Sequence, residues 1–281
     1  MDLFVFLAVL AAAAFHAGWN ALLKLKLEPI VATALVATAS GFVSVPFAAV
    51  VGLPNLASWP YVLASVVIHI AYYLALAQAY KFGDLGQAYP IARGSAPLMT
   101  AALATLWVGE TLGAYAWTGI VVLAAGILLL AVRGGRPLER LNVHSVGFAL
   151  LTSLTITAYT LVDWVGARLA GSALQYTAWL FLLSGGAMAL YGFVRVGRRL
   201  VGDFIANWQL AVAGAALSTA AYAIAIWAMT VAPIALVAAL RETSVLFAAL
   251  LSMVLLREPV LPARIVAACL VLAGVVLVRL H

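Results

Sequence analysis

One series of three chemically unlike residues occurs twice in this 281-residue chain at a single offset of 148 positions. The series is Arg93, Glu110 and Gly126 in the first half, and Arg241, Glu258 and Gly274 in the second. The apolar residues around the two arginines also match, with ARGSAPLMTAAL corresponding to LRETSVLFAALL. Because such a register persists over half the chain, we predict a duplicated structural unit.

Apolar segments of about 20 residues recur along the whole chain, and each is long enough to cross the hydrocarbon core of a bilayer. Hydrophobic residues make up 67% of the sequence and charged residues 9%, and the mean hydropathy is +1.15. We therefore predict an all-α polytopic membrane protein without a soluble domain. Ten transmembrane helices are expected, at about 3–23, 30–51, 60–80, 86–108, 112–132, 145–167, 172–194, 207–230, 233–256 and 261–280.

The duplication divides these ten spans into two halves, residues 1–141 and 142–281, which meet in the polar run RGGRPLERLNVHS. Each half holds five spans, which is an odd number, so the second copy must cross the membrane in the opposite sense. We expect two inverted five-helix repeats. Internal repeats of this kind are typical of secondary transporters, whose substrate lies where the repeats meet.

Basic residues are distributed unevenly between the two ends of the spans. Eleven follow odd-numbered spans: Lys24, Lys26, Lys81, Arg133, Arg136, Arg140, Arg195, Arg198, Arg199, Arg257 and Arg264. Only Arg168 and Arg279 lie at the other end. The positive-inside rule then places both termini outside a cell (inner) membrane. The net charge of +6 thus reflects topology and does not indicate a nucleic-acid partner.

Proline and glycine positions suggest how four of the spans are built. Pro90 and Pro97 bracket the middle of the fourth span and predict a kink or an interruption there, whereas the ninth span has proline only at its start, at Pro233. Small residues seven positions apart predict close-packing stripes on the fifth and tenth spans, at Gly119, Gly126, Ala267 and Gly274.

Several spans carry polar or aromatic residues at helical spacing, which places each set on one helix face. Polar groups at membrane depth usually face an interior cavity. The stripes are His16 and Asn20; His69, Tyr72, Tyr73 and Tyr80; Thr152, Thr155, Tyr159 and Asp163; and Ser218, Tyr222 and Met229. Three alternatives stay open: span hydroxyls often bond their own helix, tyrosines near span ends often anchor at the interface, and His16 is compatible with plain interior packing.

Arg93 and Arg241 lie about 5 Å from the centres of their spans, too deep to reach the membrane surface easily. Two interpretations stay open. In one, the guanidinium groups bind an anionic substrate group with paired hydrogen bonds. In the other, each arginine forms a buried structural ion pair, for example with Asp163 or Glu242. The same two carboxylates are candidates for proton coupling. Glu110 and Glu258, at span ends, are interpreted as structural.

The segments FHAGWNALLK in the first span and YPIARGSAPL in the fourth resemble the drug/metabolite transporter superfamily, in its EamA-type branch. The second-half segment ALRETSVLFAALLSMVLLREP is similar to the same family, and the resemblance covers nearly the whole chain. It implies a carrier of small metabolites with a cavity between the halves, walled by helices one, three, four, six, eight and nine. Carried onto this chain, the matching positions are Trp19, Asn20, Tyr89, Arg93, Arg241 and Glu242.

These observations favour a secondary transporter of a small polar metabolite, amino-acid-like or organic-anion-like, which works by alternating access with proton coupling left open. A lipid or lipid-carrier flippase using the same cavity is the alternative. The histidines are scattered, and no paired carboxylates, metal motif or ATP-binding loop occurs in the sequence. We therefore expect no enzyme activity, metal or cofactor. The expected partners are a small molecule and the bilayer, and the expected state is a monomer.

Overall fold

The computed structural model describes residues 1–24, 29–83, 85–133, 142–256 and 262–280, and every regular element in this part of the chain is helical. Its α-helices are α1 (Leu3–Lys24), α2 (Pro29–Val51), α3 (Trp59–Phe82), α4 (Leu85–Leu103), α5 (Ala114–Arg133), α6 (Val143–Leu169), α7 (Ala173–Val196), α8 (Arg199–Ala206), α9 (Trp208–Val231), α10 (Ile234–Arg241), α11 (Ser244–Leu256) and α12 (Pro262–Arg279). A short 3-10 helix (Leu56–Ser58) precedes α3, and a π-helical stretch (Ala104–Val108) follows α4. Glu258 and the junction of the two predicted halves lie outside the described residues.

Eight of the described helical segments are long and apolar enough to cross a membrane, and α5 is a shorter apolar helix. The eight segments are Leu3–Ala21, Thr33–Val51, Leu56–Phe82, Val143–Leu169, Ala173–Val196, Trp208–Val231, Ile234–Leu251 and Pro262–Arg279. The fourth predicted span, α4, is not among them, because it carries an arginine, two prolines and several small polar residues. The protein is therefore a polytopic membrane protein, whereas the count of ten spans remains a prediction.

Of the kink or interruption predicted at the prolines of the fourth span, the interruption is not found, because α4 runs unbroken past both Pro90 and Pro97. A proline removes a backbone donor from a helix, and contacts with neighbouring helices can stabilise a helix that contains one. Here two hydroxyls of α6 bond backbone carbonyls of α4. Ser153 donates to the carbonyl of Ala92 at 2.7 Å, and Thr157 donates to the carbonyl of Ala96 at 3.3 Å.

The break occurs instead in the ninth predicted span, which the sequence suggested was continuous. That span consists of α10 and α11, joined by a tight turn at Glu242 and Thr243. The hydroxyl and the backbone N–H of Thr243 both donate to the carbonyl of Leu240, at 2.7 Å and 3.1 Å respectively. A side chain that competes for backbone carbonyls disturbs a helix without proline. Tight turns of this kind within a helix often mark hinges.

Helices α5 and α12 cross in opposite directions with their backbones in contact. A Cβ atom on Gly119 would lie 2.8 Å from the carbonyl oxygen of Gly274, and one on Gly126 would lie 2.9 Å from that of Ala267. The four small residues of the two predicted stripes therefore meet each other pairwise. Such close approach replaces the hydrophobic effect as the source of helix association inside a membrane.

Glu110 follows the π-helical stretch and caps α10 in the other half of the chain. Its carboxylate accepts hydrogen bonds from the N–H groups of Ile234 at 2.6 Å and Ala235 at 3.2 Å. The first N–H groups of a helix lack intrahelical partners and carry the positive end of its dipole, so a carboxylate stabilises them. The structural interpretation of Glu110 agrees with this geometry. Every residue from Ile234 to Leu240 is buried, so α10 lies at the centre of the bundle.

Candidate functional site

A cavity of about 100 Å³ lies inside the bundle, between helices from both halves of the chain. Eight of the twelve predicted site residues line it: His16, Trp19, His69, Tyr72, Arg93, Tyr159, Tyr222 and Arg241. The other four do not line the cavity: Asn20, Tyr89, Asp163 and Glu242. Three of these four nevertheless contact a lining residue through their side chains, as described below, and Asn20 donates to the backbone carbonyl of His16 at 2.8 Å.

Arg93 and Glu242 form a buried ion pair, with 2.7 Å between Nε of the arginine and Oε2 of the glutamate. Their side chains are 4% and 5% exposed. Arg93 also donates to the hydroxyl of Ser244 at 3.4 Å, and its guanidinium carbon lies 5.9 Å from the ring centre of Tyr89. Of the two interpretations of Arg93, the geometry matches the structural ion pair with Glu242.

Arg241 is in a different electrostatic position, although it occupies the equivalent place in the second half. Its side chain is half-buried and lines the cavity. No carboxylate oxygen in the described part of the chain lies within 4.0 Å of its guanidinium nitrogens. Its guanidinium carbon lies 5.0 Å from the ring centre of Tyr222, close enough for a cation–π contact. The positive charge of Arg241 therefore faces the cavity without a neutralising partner in contact.

The residue that follows each arginine explains this asymmetry. Arg241 is followed by Glu242, whereas the equivalent position after Arg93 is Gly94. If the two halves were identical here, each arginine would be followed by a glutamate. Only Arg241 is, so the two arginines share one carboxylate. Glu242 reaches across to Arg93 in the other half, and Gly94, packed against Leu128, has no side chain to return the contact.

Asp163 is fully buried in α6 and is held by two tyrosine hydroxyls rather than by an arginine. The hydroxyl of Tyr176 donates to its Oδ1 at 2.8 Å, and the hydroxyl of Tyr222 donates to its Oδ2. Tyr222 therefore connects Asp163, through its hydroxyl, with Arg241, through its ring. The suggested pairing of Asp163 with an arginine is not observed.

Aromatic rings cover the cavity wall beside Arg241. The imidazole of His69 stacks on the ring of Tyr159 at 4.3 Å, and Tyr72 meets the edge of the same tyrosine at 6.1 Å. The ring centres of His16 and Trp19 lie 5.3 Å apart. The indole N–H of Trp19 donates to Nδ1 of His16 at 3.3 Å. Together these side chains form a surface that is apolar on its ring faces and polar at its edges.

Helices α2 and α7 also line the cavity, although the resemblance did not place them there. They contribute Thr33, Val36, Ala37, Ser40, Leu180, Phe181, Ser184, Gly185 and Met188. Tyr73 and Ser218, which were noted in polar stripes, join them. A signal for α2 and α7 exists in the sequence, since each helix contains a serine followed directly by glycine at the level of the cavity. Other stripe hydroxyls bond their own helix, as Thr152 and Thr155 do.

We call the end of the bundle that carries Met1 and Arg279 the terminal face. Side chains and backbone there join the two halves of the chain. Asn55 donates to the carbonyl of Leu169 at 3.1 Å, Gln175 to that of Val51 at 2.8 Å, and Trp179 to that of Gly52 at 2.9 Å. The cavity lies further into the bundle than these contacts, between the later turns of α1 and the first turns of α2.

Comparison with known families decides what kind of protein this bundle is. The model of the EamA-like transporter family matches residues 1–132 and again residues 144–280. The chain belongs to the EamA-like transporter family. Members of this family are membrane transporters of the drug/metabolite transporter superfamily, so the resemblance noted in the sequence is confirmed. A transporter of this family acts on small molecules within a lipid bilayer.

Solved structures show the same fold for this EamA-family chain. Twenty-eight chains of solved structures match it. One of them, a crystal structure, superposes with a TM-score of 0.75 at 18% identity, over 99% of this chain and 96% of that one. No curated protein matches the sequence. Within the described residues of this transporter, no three histidine, cysteine, aspartate or glutamate side chains are grouped to hold a metal ion.

Proposed function

We propose that this EamA-family protein is a secondary transporter of a small organic anion, which Arg241 binds in the central cavity. One observation carries the proposal: Arg241 lines the cavity with no carboxylate within 4.0 Å in the described part of the chain. A half-buried guanidinium without a counter-charge in contact has lost part of its hydration, so an anionic ligand would stabilise it. Arginine suits this role because its donors match carboxylate and phosphate oxygens in pairs.

Alternating access between two inverted five-helix repeats, at 1–141 and 142–281, is the mechanism we propose. The glycine crossing supports it. The offset of 148 relates Gly119 to Ala267 and Gly126 to Gly274, so exchanging the halves converts the contact of Gly119 with Gly274 into that of Ala267 with Gly126. Two repeats related by a two-fold axis are expected to have such contacts, each of which becomes the other when the halves are exchanged.

In this mechanism the described structure is the state closed at the terminal face. From the positive-inside rule we expect that face to lie outside the cell membrane, so the cavity would exchange substrate with the cytoplasm. Opening to the outside would break the bonds donated by Asn55, Gln175 and Trp179. We further propose Asp163 as the group that carries a coupled proton, because it contacts Arg241 through Tyr222. Glu242 is less suited to that role, since Arg93 already neutralises it.

Purified protein in proteoliposomes tests the anion site directly. The probes are radiolabelled straight-chain carboxylates of two to six carbons and methylphosphonate, with binding followed in parallel by thermal shift. Arg241→Gln should abolish binding and uptake of every anion that the parent protein accepts, and Arg241→Lys should restore little. Arg195→Gln, at an exposed position of α7, is the matched control and should behave like the parent. Parent-like uptake by Arg241→Gln would eliminate the proposal.

The flippase alternative is tested in the same vesicles. The cavity volume of about 100 Å³ favours a small solute. Translocation of a fluorescent phospholipid, without uptake of any soluble anion, would instead identify a flippase.

A further inference from the structure

The cavity wall formed by α2 and α7 is built around a contact between two glycines. A Cβ atom on Gly185 would lie 2.5 Å from the Cα of Gly41, so the two backbones touch. Arg241 enters the cavity from a different wall, since α10 packs against α1, α4, α5, α6 and α9. A ligand bound by Arg241 would therefore extend towards the glycine contact with its far end.

Two serines that line the cavity flank this contact, and their hydroxyls have no hydrogen-bond partner among the described residues. Ser40 precedes Gly41, and Ser184 precedes Gly185. Both residues line the cavity, and the hydroxyl oxygen of each is buried and unpaired. Serine and threonine in helices ordinarily bond a carbonyl one turn earlier, as Thr177 of α7 does to Ala173 at 2.7 Å. A buried hydroxyl that makes no such bond is costly unless a ligand completes it.

The charged groups of the cavity wall are of one sign. Arg93 and Arg241 are its basic residues, and none of the described lining residues is an aspartate or a glutamate. The two nearby carboxylates are both occupied, Glu242 by Arg93 and Asp163 by two tyrosines. An ammonium group in this cavity would lose its hydration without gaining a counter-charge.

We infer that Ser40 and Ser184 form a second subsite, which binds an uncharged hydroxyl or carbonyl group at the far end of the transported anion. The substrate class is thus a small hydroxy- or oxo-acid rather than an acid that carries an ammonium group at its far end. The apolar residues Val36, Leu180 and Phe181 cover the ligand between its two polar ends. This inference rests on the proposed anion site at Arg241.

A matched series of ligands tests the inference on the intact transporter in proteoliposomes. Butyrate, 4-hydroxybutyrate and 4-aminobutyrate share one carbon chain and differ at the far end, and the five- and six-carbon analogues cover other lengths. At the best length the hydroxy acid should bind roughly fivefold more tightly per hydrogen bond than the unsubstituted acid. The amino acid should bind at least about tenfold more weakly than the hydroxy acid, because its ammonium group is desolvated without a partner.

Serine variants then assign the effect to the subsite. Ser40→Ala and Ser184→Ala should each reduce the preference for the hydroxy acid, while affinity for the unsubstituted acid stays unchanged. Ser44→Ala is the control, because Ser44 is a buried, unpaired serine one turn along α2 that does not line the cavity. It should keep the preference.

The outcomes separate this inference from the proposed function. Equal binding of butyrate and 4-hydroxybutyrate, with both lost in Arg241→Gln, would overturn the serine subsite and leave the anion site standing. Tightest binding of the amino acid, or a preference that survives both serine variants, would also overturn the subsite. Failure of every acid in the series to bind would reject the anion site, and the subsite with it.

Discussion

Arg93 and Glu242 hold the two halves of this transporter together through a buried ion pair whose atoms approach to 2.7 Å. The pair joins α4 to the turn between α10 and α11, so it fixes the position of Arg241, the residue next to Glu242. Glu242 belongs both to the ion pair and to this turn, so the contact between the two halves reaches the segment that carries Arg241. The role of Arg93 is therefore structural in our interpretation, and substrate binding is assigned to Arg241.

Breaking this ion pair should destabilise the protein strongly. Removing one partner of a buried pair leaves the other charge uncompensated and costs about 3–5 kcal/mol. Arg93→Leu and Glu242→Leu should each lower the melting temperature sharply, and the double variant should recover much of the loss. Thermal unfolding in detergent measures this. Arg199→Leu, which breaks an exposed pair with Asp203, is the control and should change little. Single variants as stable as the parent would contradict the structural role.

Removing the hydroxyl of Tyr222 should break its hydrogen bond with Asp163 and leave its ring contact with Arg241. Tyr222→Phe keeps the ring beside Arg241 but deprives the buried carboxylate of Asp163 of one donor, at a cost of about 1.5–3 kcal/mol. We expect a lower melting temperature together with retained binding of anions. Tyr176→Phe should lower stability in the same way, since it removes the other donor. If Tyr222→Phe abolished anion binding without a change in stability, the hydroxyl would act on the ligand rather than on Asp163.

Enlarging the glycines of the α5–α12 crossing should push these helices apart. A Cβ atom on Gly274 would lie 2.7 Å from backbone atoms of α5, and the rigid backbone cannot yield as a side chain can. Gly274→Ala should therefore cost about 1–3 kcal/mol, as overpacking usually does. Gly147→Ala in α6 is the matched control, because open space surrounds it, and it should be neutral or stabilising by about 0.5–1 kcal/mol. Equal melting temperatures for the two variants would argue against the close crossing.

Both termini should lie outside the cell membrane. The motive is the excess of basic residues after the odd-numbered spans, together with the hydrogen-bonded contact of Arg279 with Met1, which places both termini at one face. Alkaline phosphatase fused to the C-terminus should be active, because it folds outside the membrane. A fluorescent protein fused at the same position should stay dark, because it does not fold after export in an unfolded form. The opposite pattern would show that short-loop charge does not orient this protein.

The broad class of this protein could be predicted from sequence because apolar length and residue register are local properties of the chain. The cavity side chains at helical spacing, such as His69, Tyr72 and Tyr159, were found for the same reason. The break after Arg241 was missed, since the prediction relied on proline. Two prolines leave α4 unbroken, whereas the ninth span breaks without one, at the turn where the hydroxyl of Thr243 bonds the carbonyl of Leu240.

By itself, the sequence determined that the chain crosses a membrane several times, that a series of three residues recurs at an offset of 148, and that two arginines lie deep in apolar segments. Only the tertiary structure decided which arginine is neutralised. Glu242 is next to Arg241 along the chain, yet its carboxylate meets Arg93, which lies 149 positions away. Neighbours along a helix point in different directions, and so the partner of a charge depends on which helices cross and at what level.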